Sequence, residues 1–166
     1  MYKKISVAID GSHCSDQALE EAIDLAGACG AELEIVHVID SGYELAEVRA
    51  GLVRRGQELL TVAQAKAEAK NLHCHVVLFD DIVALGDVAN QIRQVVEGSH
   101  AQLVVIGTHG RRGVTRLLMG SVAEALVRQC KMPVMLVRAP QEAERVNDFA
   151  SPGLMNLLCR AVVCLG

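Results

Sequence analysis

Leu103-Val104-Val105-Ile106-Gly107-Thr108-His109-Gly110-Arg111-Arg112-Gly113-Val114-Thr115-Arg116-Leu117-Leu118-Met119-Gly120-Ser121 joins an aliphatic run, a glycine-rich turn and a helix start in immediate succession. Leu103 to Ile106 predicts a strand buried on both faces, because an unbroken aliphatic run suits a parallel sheet covered by helices. Ser121 to Cys130, with Ala125, Leu126 and Gln129 inside it, predicts the helix that follows. The turn between them is suited to a phosphate. Glycine carries no Cβ and tolerates unusual φ, so several backbone N–H groups can approach one anion. The helix start adds unpaired donors and a favourable dipole. Ser121 can offer a hydroxyl, and Arg111, Arg112 and Arg116 put positive charge beside the loop.

Outward from this segment, strand and helix alternate. Lys4 to Ile9 reads as a first strand, closed by the turn Asp10-Gly11-Ser12. Ser15 or Asp16 can cap a helix whose Ala18, Leu19, Ala22, Ile23 and Ala26 share one face, and Gly30 ends it. Leu33 to Val38 is a second strand and Val76 to Phe79 a third. Between them, Gly51 and Gly56 interrupt a stripe of Leu45, Val48, Leu52, Leu59 and Ala63, so a loop followed by a helix over 56–70 is expected. Val88, Ile92, Val95 and Val96 recur at helical spacing between Gly86 and Gly98, and Pro133 to Val137 supplies a fifth strand. This alternation predicts an α/β fold: one doubly wound, five-stranded parallel sheet with helices on both faces. Ligands in such sheets bind beyond the carboxyl ends of the strands, where the strand order reverses. Asp10-Gly11-Ser12 and the Gly107 to Gly120 turn are therefore the candidate loops.

Composition narrows the function. The 166 residues are 51% hydrophobic but only 2% aromatic, so the core is aliphatic and lacks the stacking platforms of single-strand binders. A net charge of −4 gives no general attraction to nucleic acid or to anionic membranes. Without a signal-peptide pattern or a membrane-length apolar run, a soluble cytoplasmic protein is expected. Six scattered cysteines form no Cys-x-x-Cys pair and read as small hydrophobes, Cys14 alone lying in a loop beside the candidate site. His73-Cys74-His75 does not read as a metal site, because alternate residues of a strand face opposite ways.

Two familiar phosphate motifs are absent: no lysine precedes Ser121 as a Walker loop requires, and no Gly-x-Gly-x-x-Gly follows the first strand. The spacing present, Gly107-x2-Gly110-x9-Gly120-Ser121, resembles that of the ATP-binding members of the universal stress protein family. Val7-Ala8-Ile9-Asp10-Gly11-Ser12, Val36-His37-Val38, Gly86 and Pro133-Val134-Met135-Leu136-Val137 resemble further segments of that family, in the same order, over residues 2–138. His13-Cys14 stands where relatives often carry proline, and Phe79 to Gly86 is more aliphatic than the usual link.

The resemblance implies strand order 3-2-1-4-5, with ATP (and Mg2+) in the crevice between strands one and four. Asp10 would meet the ribose or the metal, and backbone near Val38 would recognise adenine. Gly107, Gly110, Gly120 and Ser121 would hold the triphosphate, with Gly11, Ser12, His109, Arg111 and Val122 completing the expected set. It further implies a homodimer through Val134 to Val137, an unidentified protein partner, and a regulatory role in stress adaptation. No nucleophile, base and orienting partner can be assembled from the sequence, so slow ATP hydrolysis is the most that is expected. An ATP-using transferase on the same fold and a nucleotide-free dimeric scaffold are the alternatives. Without a ligand, Asp10 would simply make an Asp-Gly turn, Ser121 and Glu124 a capping box, and the arginines a solvated face. Residues 1–140 are expected to form the nucleotide-binding domain. Residues 141–166 form an extension that packs on it, extends a dimer contact or stays poorly ordered.

Overall fold

The computed structural model describes residues 1–40, 46–80, 87–109 and 119–138, together with the backbone of 163–165. Five strands lie parallel: β1 (Lys4–Ala8), β2 (Glu32–Val38), β3 (Cys74–Phe79), β4 (Leu103–Gly107) and β5 (Val134–Val137). A short sixth strand, β6 (Val163–Leu165), pairs antiparallel with β5, so the full order is β3-β2-β1-β4-β5-β6. The expected order 3-2-1-4-5 is therefore present, extended by one strand from the tail. β6 lies along the edge of β5 that was expected to meet a second copy.

Helices α1 (His13–Cys29) and α2 (Ala46–Ala69) cover one face of the sheet, and α3 (Val88–Gly98) and α4 (Ser121–Gln129) the other. Alternation along each strand divides the core between them. Ile5, Val7, Leu33, Ile35, Leu103 and Val105 meet Ala18, Leu19, Ala22 and Ile23 of α1 and Leu60, Ala63 and Ala67 of α2. Ala8, Val36, Val38, Val104 and Ile106 meet Ala89, Ile92 and Val96 of α3 and Ala123 and Leu126 of α4. β1 and β4 are neighbours although the chain visits β2 and β3 between them, so the strand order reverses at this pair. That reversal opens the crevice above their carboxyl ends.

α2 corrects the sequence reading, for it begins ten residues before Gly56 rather than at it. Gly51 has open space around it, whereas a Cβ on Gly56 would stand 2.8 Å from His37 Cδ2, 2.8 Å from Leu78 Cδ1 and 3.0 Å from Ile39 Cδ1. The glycine that seemed to break the helix lets it approach the sheet. The buried stripe is Gly56, Leu60, Ala63 and Ala67, and Val48, expected on it, is 49% exposed. α1 also starts earlier than expected. Its N-cap is Ser12, not Ser15 or Asp16. Cys14 accordingly belongs to the first helical turn and not to a loop.

On the far side of the sheet, Glu34 is buried and collects hydroxyl donors from Ser6 at 2.7 Å and Ser99 at 2.8 Å, with the Lys4 ammonium 3.3 Å away. A buried carboxylate needs such partners. Ser99 caps the end of α3, so this cluster ties that helix to β1 and β2.

Candidate functional site

The turn after β1 is held by its own side chains. Asp10 Oδ1 accepts the Ser12 N–H at 2.9 Å, Ser12 Oγ accepts the Ser15 N–H at 3.2 Å, and Ser15 Oγ accepts the Gly11 N–H at 3.1 Å. Gly11 has φ +81°, a conformation that only glycine adopts without strain. The backbone N–H groups of Gly11 and Ser12 are thus engaged within the turn. Asp10 and Ser12 are only partly buried and remain at the lip of the crevice.

The turn leaving β4 has a different construction. The Thr108 N–H donates to Val137 at 2.8 Å, and the Thr108 carbonyl accepts the Gly120 N–H at 2.8 Å. Thr108 and Gly120, on either side of the turn, are therefore bonded to each other. Thr108 is itself buried. Gly110 and Arg111 of the expected set, like Arg112 and Arg116, lie outside the described residues. His109 stands at the departure point, its Nδ1 3.0 Å from Thr108 Oγ1. His109 Nε2 is buried and has no hydrogen-bond partner among the described residues. Ser12 Oγ lies 3.4 Å from the His109 carbonyl oxygen, which brings the two turns together across the crevice.

α4 begins without a side-chain cap. Its N-cap is Gly120, with extended backbone at φ −61° and ψ 144° that any residue adopts. The capping box of Ser121 and Glu124 is not formed, because Ser121 already lies inside the helix; Glu124 pairs instead with Arg128 at 3.1 Å. By contrast, Ser12 caps α1 and Asp87 caps α3. No side chain caps the first-turn N–H groups of α4, and the helix dipole favours an anion at this end.

Gly107 has a role that the sequence did not reveal. A Cβ there would stand 2.8 Å from the Cys14 carbonyl carbon, 2.9 Å from Cys14 Cβ and 2.9 Å from the Cys14 carbonyl oxygen. Its bare backbone is needed by the first turn of α1, which packs directly on the end of β4. Val38 is the buried last residue of β2, paired with Phe79. His37, one residue earlier, donates from Nδ1 to the Ile9 carbonyl at 2.7 Å and so ties the end of β2 to the residue before Asp10. Ser15, Thr108 and His37 appear in the sequence reading, as a helix cap and as members of longer segments, but with no role in joining these turns. Only Ser15 left a signal, in the spacing Ser12-x-x-Ser15.

The sequence profile of the universal stress protein family matches residues 1–138. The chain is a universal stress protein. A universal stress protein of Methanocaldococcus jannaschii is 32% identical to it over 152 residues, covering 86% of this chain and 85% of that one. The crystal structure of a family member from Burkholderia pseudomallei, 30% identical, superposes with a TM-score of 0.69 over 83% of this chain and 97% of its own. Two more distant universal stress proteins, each 22% identical with a TM-score of 0.64 over 82% of this chain, share the fold. One, covered over 97% of its length, was solved in complex with cAMP; the other, from Archaeoglobus fulgidus and covered over 98%, was solved in complex with dAMP. No helix among the described residues of this universal stress protein is long and apolar enough to cross a membrane.

His73-Cys74-His75 behaves as an ordinary strand entry. Both histidines are exposed, Cys74 turns toward the core, and the described residues hold no cluster of three or more His, Cys, Asp or Glu fit for a metal. Burial pushes the Cys74 thiol up, with the Glu68 carboxylate adding to the effect. Burial and Glu97 do the same to Cys130, against a smaller opposing pull from Arg93. Both are poor thiolates, in keeping with a role as small hydrophobes.

Proposed function

We propose that this universal stress protein is a cytoplasmic ATP-binding regulator of stress adaptation, with the triphosphate at the start of α4. The observation that carries the reading is that helix start: Gly120 offers no capping side chain to the first-turn N–H groups of α4, the helix that follows β4, and β4 is the neighbour of β1. Phosphate oxygens are the natural partners for such groups, through hydrogen bonds and the helix dipole together. The unpartnered His109 Nε2 at the foot of the same turn fits a polar ligand as well. The bound nucleotides named for two relatives support the class of ligand.

In this reading Ser121 and Val122 hold the terminal phosphates with Gly120, and Gly110 and Arg111 add to the cradle. Gly107 serves from beneath, by allowing α1 to sit on β4. Asp10 takes the ribose or shares Mg2+ with the phosphates, Gly11 and Ser12 shape that lip, and backbone near Val38 reads adenine. Nucleotide binding favours one state of the 107–120 turn, and a protein partner reads that state, a population shift set by differential affinity. A dimer contact at β5 belongs to the same reading, and it requires β6 to leave that edge.

Titration calorimetry with ATP, ADP, AMP and GTP tests the proposal. ATP is expected to bind most tightly, with affinity falling as phosphates are removed. Equal affinity for AMP and ATP would place the grip on the nucleoside alone, and no heat with any nucleotide would remove the ligand from the account.

A further inference from the structure

A parallel sheet ends in two strands whose outer N–H and C=O groups lack a neighbour, and such edges recruit other strands. β5 is the more exposed to that hazard by sequence. Val134-Met135-Leu136-Val137 is wholly apolar, and none of the charged residues that blunt an edge lies within it. In this chain the edge is filled from the same molecule. Leu136 pairs with Val163, Met135 with Cys164 and Val134 with Leu165.

The orientation of this pairing is the one that a second copy would offer. Among the described residues every other strand pair is parallel, and β5–β6 alone is antiparallel. A two-fold axis relating two copies through β5 would bring β5 against β5 of the second copy, and a strand paired with its own two-fold mate runs antiparallel. β6 thus offers β5 the same hydrogen-bonding pattern as a second copy would. It is also the shorter competitor, three residues against the four of β5, and it lies beyond residue 138, where the family profile ends.

We infer that the C-terminal strand is an intramolecular cap on β5 that competes with a second copy of this chain, so that its attachment sets the oligomeric state. With β6 in place the β5 edge is closed and the chain is monomeric through it. When β6 leaves, β5 pairs with its counterpart and a symmetric dimer forms. The inference rests on the β5 dimer contact of the proposed function, but not on nucleotide binding.

Two full-length variants test it. Val163→Pro combined with Cys164→Pro removes two consecutive N–H groups. Successive N–H groups of a strand point to opposite sides, so one of the two must face β5. Sedimentation velocity over a concentration series is expected to show the parent as a monomer. The double-proline variant should dimerise at a concentration at least tenfold lower. Met135→Cys places a thiol opposite the native Cys164, at the Cα separation of directly paired antiparallel residues, which a disulfide can span. After oxidation, peptide mapping should find that bond within one chain, and the locked protein should remain monomeric where the double-proline variant is dimeric. Equal association of the parent and the double-proline variant would overturn the inference. So would a disulfide that joins position 135 of one chain to Cys164 of another, since the strand would then be exchanged and not a cap.

Discussion

Gly107→Ala tests how the candidate site is supported. The added methyl would meet three atoms of Cys14 at 2.8–2.9 Å, two of them backbone. Side-chain ends can swing aside, but the Cys14 carbonyl is part of the first turn of α1 and moves only if the helix moves. Overpacking of this kind costs typically ~1–3 kcal/mol, and an immovable neighbour puts Gly107→Ala at the upper end. Replacing a strand glycine returns roughly 0.5–1 kcal/mol of backbone entropy, leaving a net loss of about 2 kcal/mol. For a domain of this size that lowers Tm by roughly 4–8 °C. Cys14→Gly in the same chain removes only the Cβ contact, so it should restore less than half of the loss. Scanning calorimetry or thermal circular dichroism reads both variants. A Gly107→Ala protein that melts within about a degree of the parent would refute the close packing of α1 on β4, as would full rescue by Cys14→Gly.

Further expectations follow from the same contacts. Gly51 and Gly56 share one helix but should respond oppositely. Gly51→Ala, in open space, should gain about 0.8–1 kcal/mol from helix propensity. Gly56→Ala gains the same term but meets His37, Leu78 and Ile39, so overpacking of ~1–3 kcal/mol should outweigh it. Urea melts of the two variants check the difference in sign. Gly120→Val should change stability by about 1 kcal/mol or less, since its backbone geometry suits any residue, yet weaken ATP at least tenfold in titration calorimetry. Cys74 and Cys130 should alkylate more slowly in the folded chain than after unfolding, because burial holds both thiols protonated. The same shifts carry a sign for stability: below about pH 8.5 both states are protonated. Above it the unfolded chain ionises first, so stability should fall as pH rises toward the folded-state values, a trend that urea melts at alkaline pH would read.

The architecture was legible because aliphatic strands and helical stripes report burial directly. Ile5, Val7, Leu33, Ile35 and Val105 are fully buried, and Gly30 closes α1 at φ +62° as a helix-ending glycine should. The first half of α2 was hidden for a tertiary reason. Gly56 lowers intrinsic helix propensity, and the positions of His37, Leu78 and Ile39 against it explain the residue. The caps were misread by a few residues because Ser12, Ser15 and Asp16 are all competent caps; the hydrogen bond from Gly11 N–H to Ser15 Oγ gives Ser15 another task. Ser121 likewise satisfies the capping-box pattern locally, but α4 starts at Ser121 as expected, and Gly120, bonded to the Thr108 carbonyl, takes the N-cap position. β6 was unreadable, since three residues carry no periodicity.

The most direct test of the account is the amide spectrum of the 15N-labelled protein titrated with Mg-ATP. The Ser121 and Val122 resonances should shift furthest, and those at Lys4 and Glu32, the opposite end of the sheet, should stay in place. Saturable binding that leaves the α4 amides unmoved would contradict the claim that this helix start holds the phosphates.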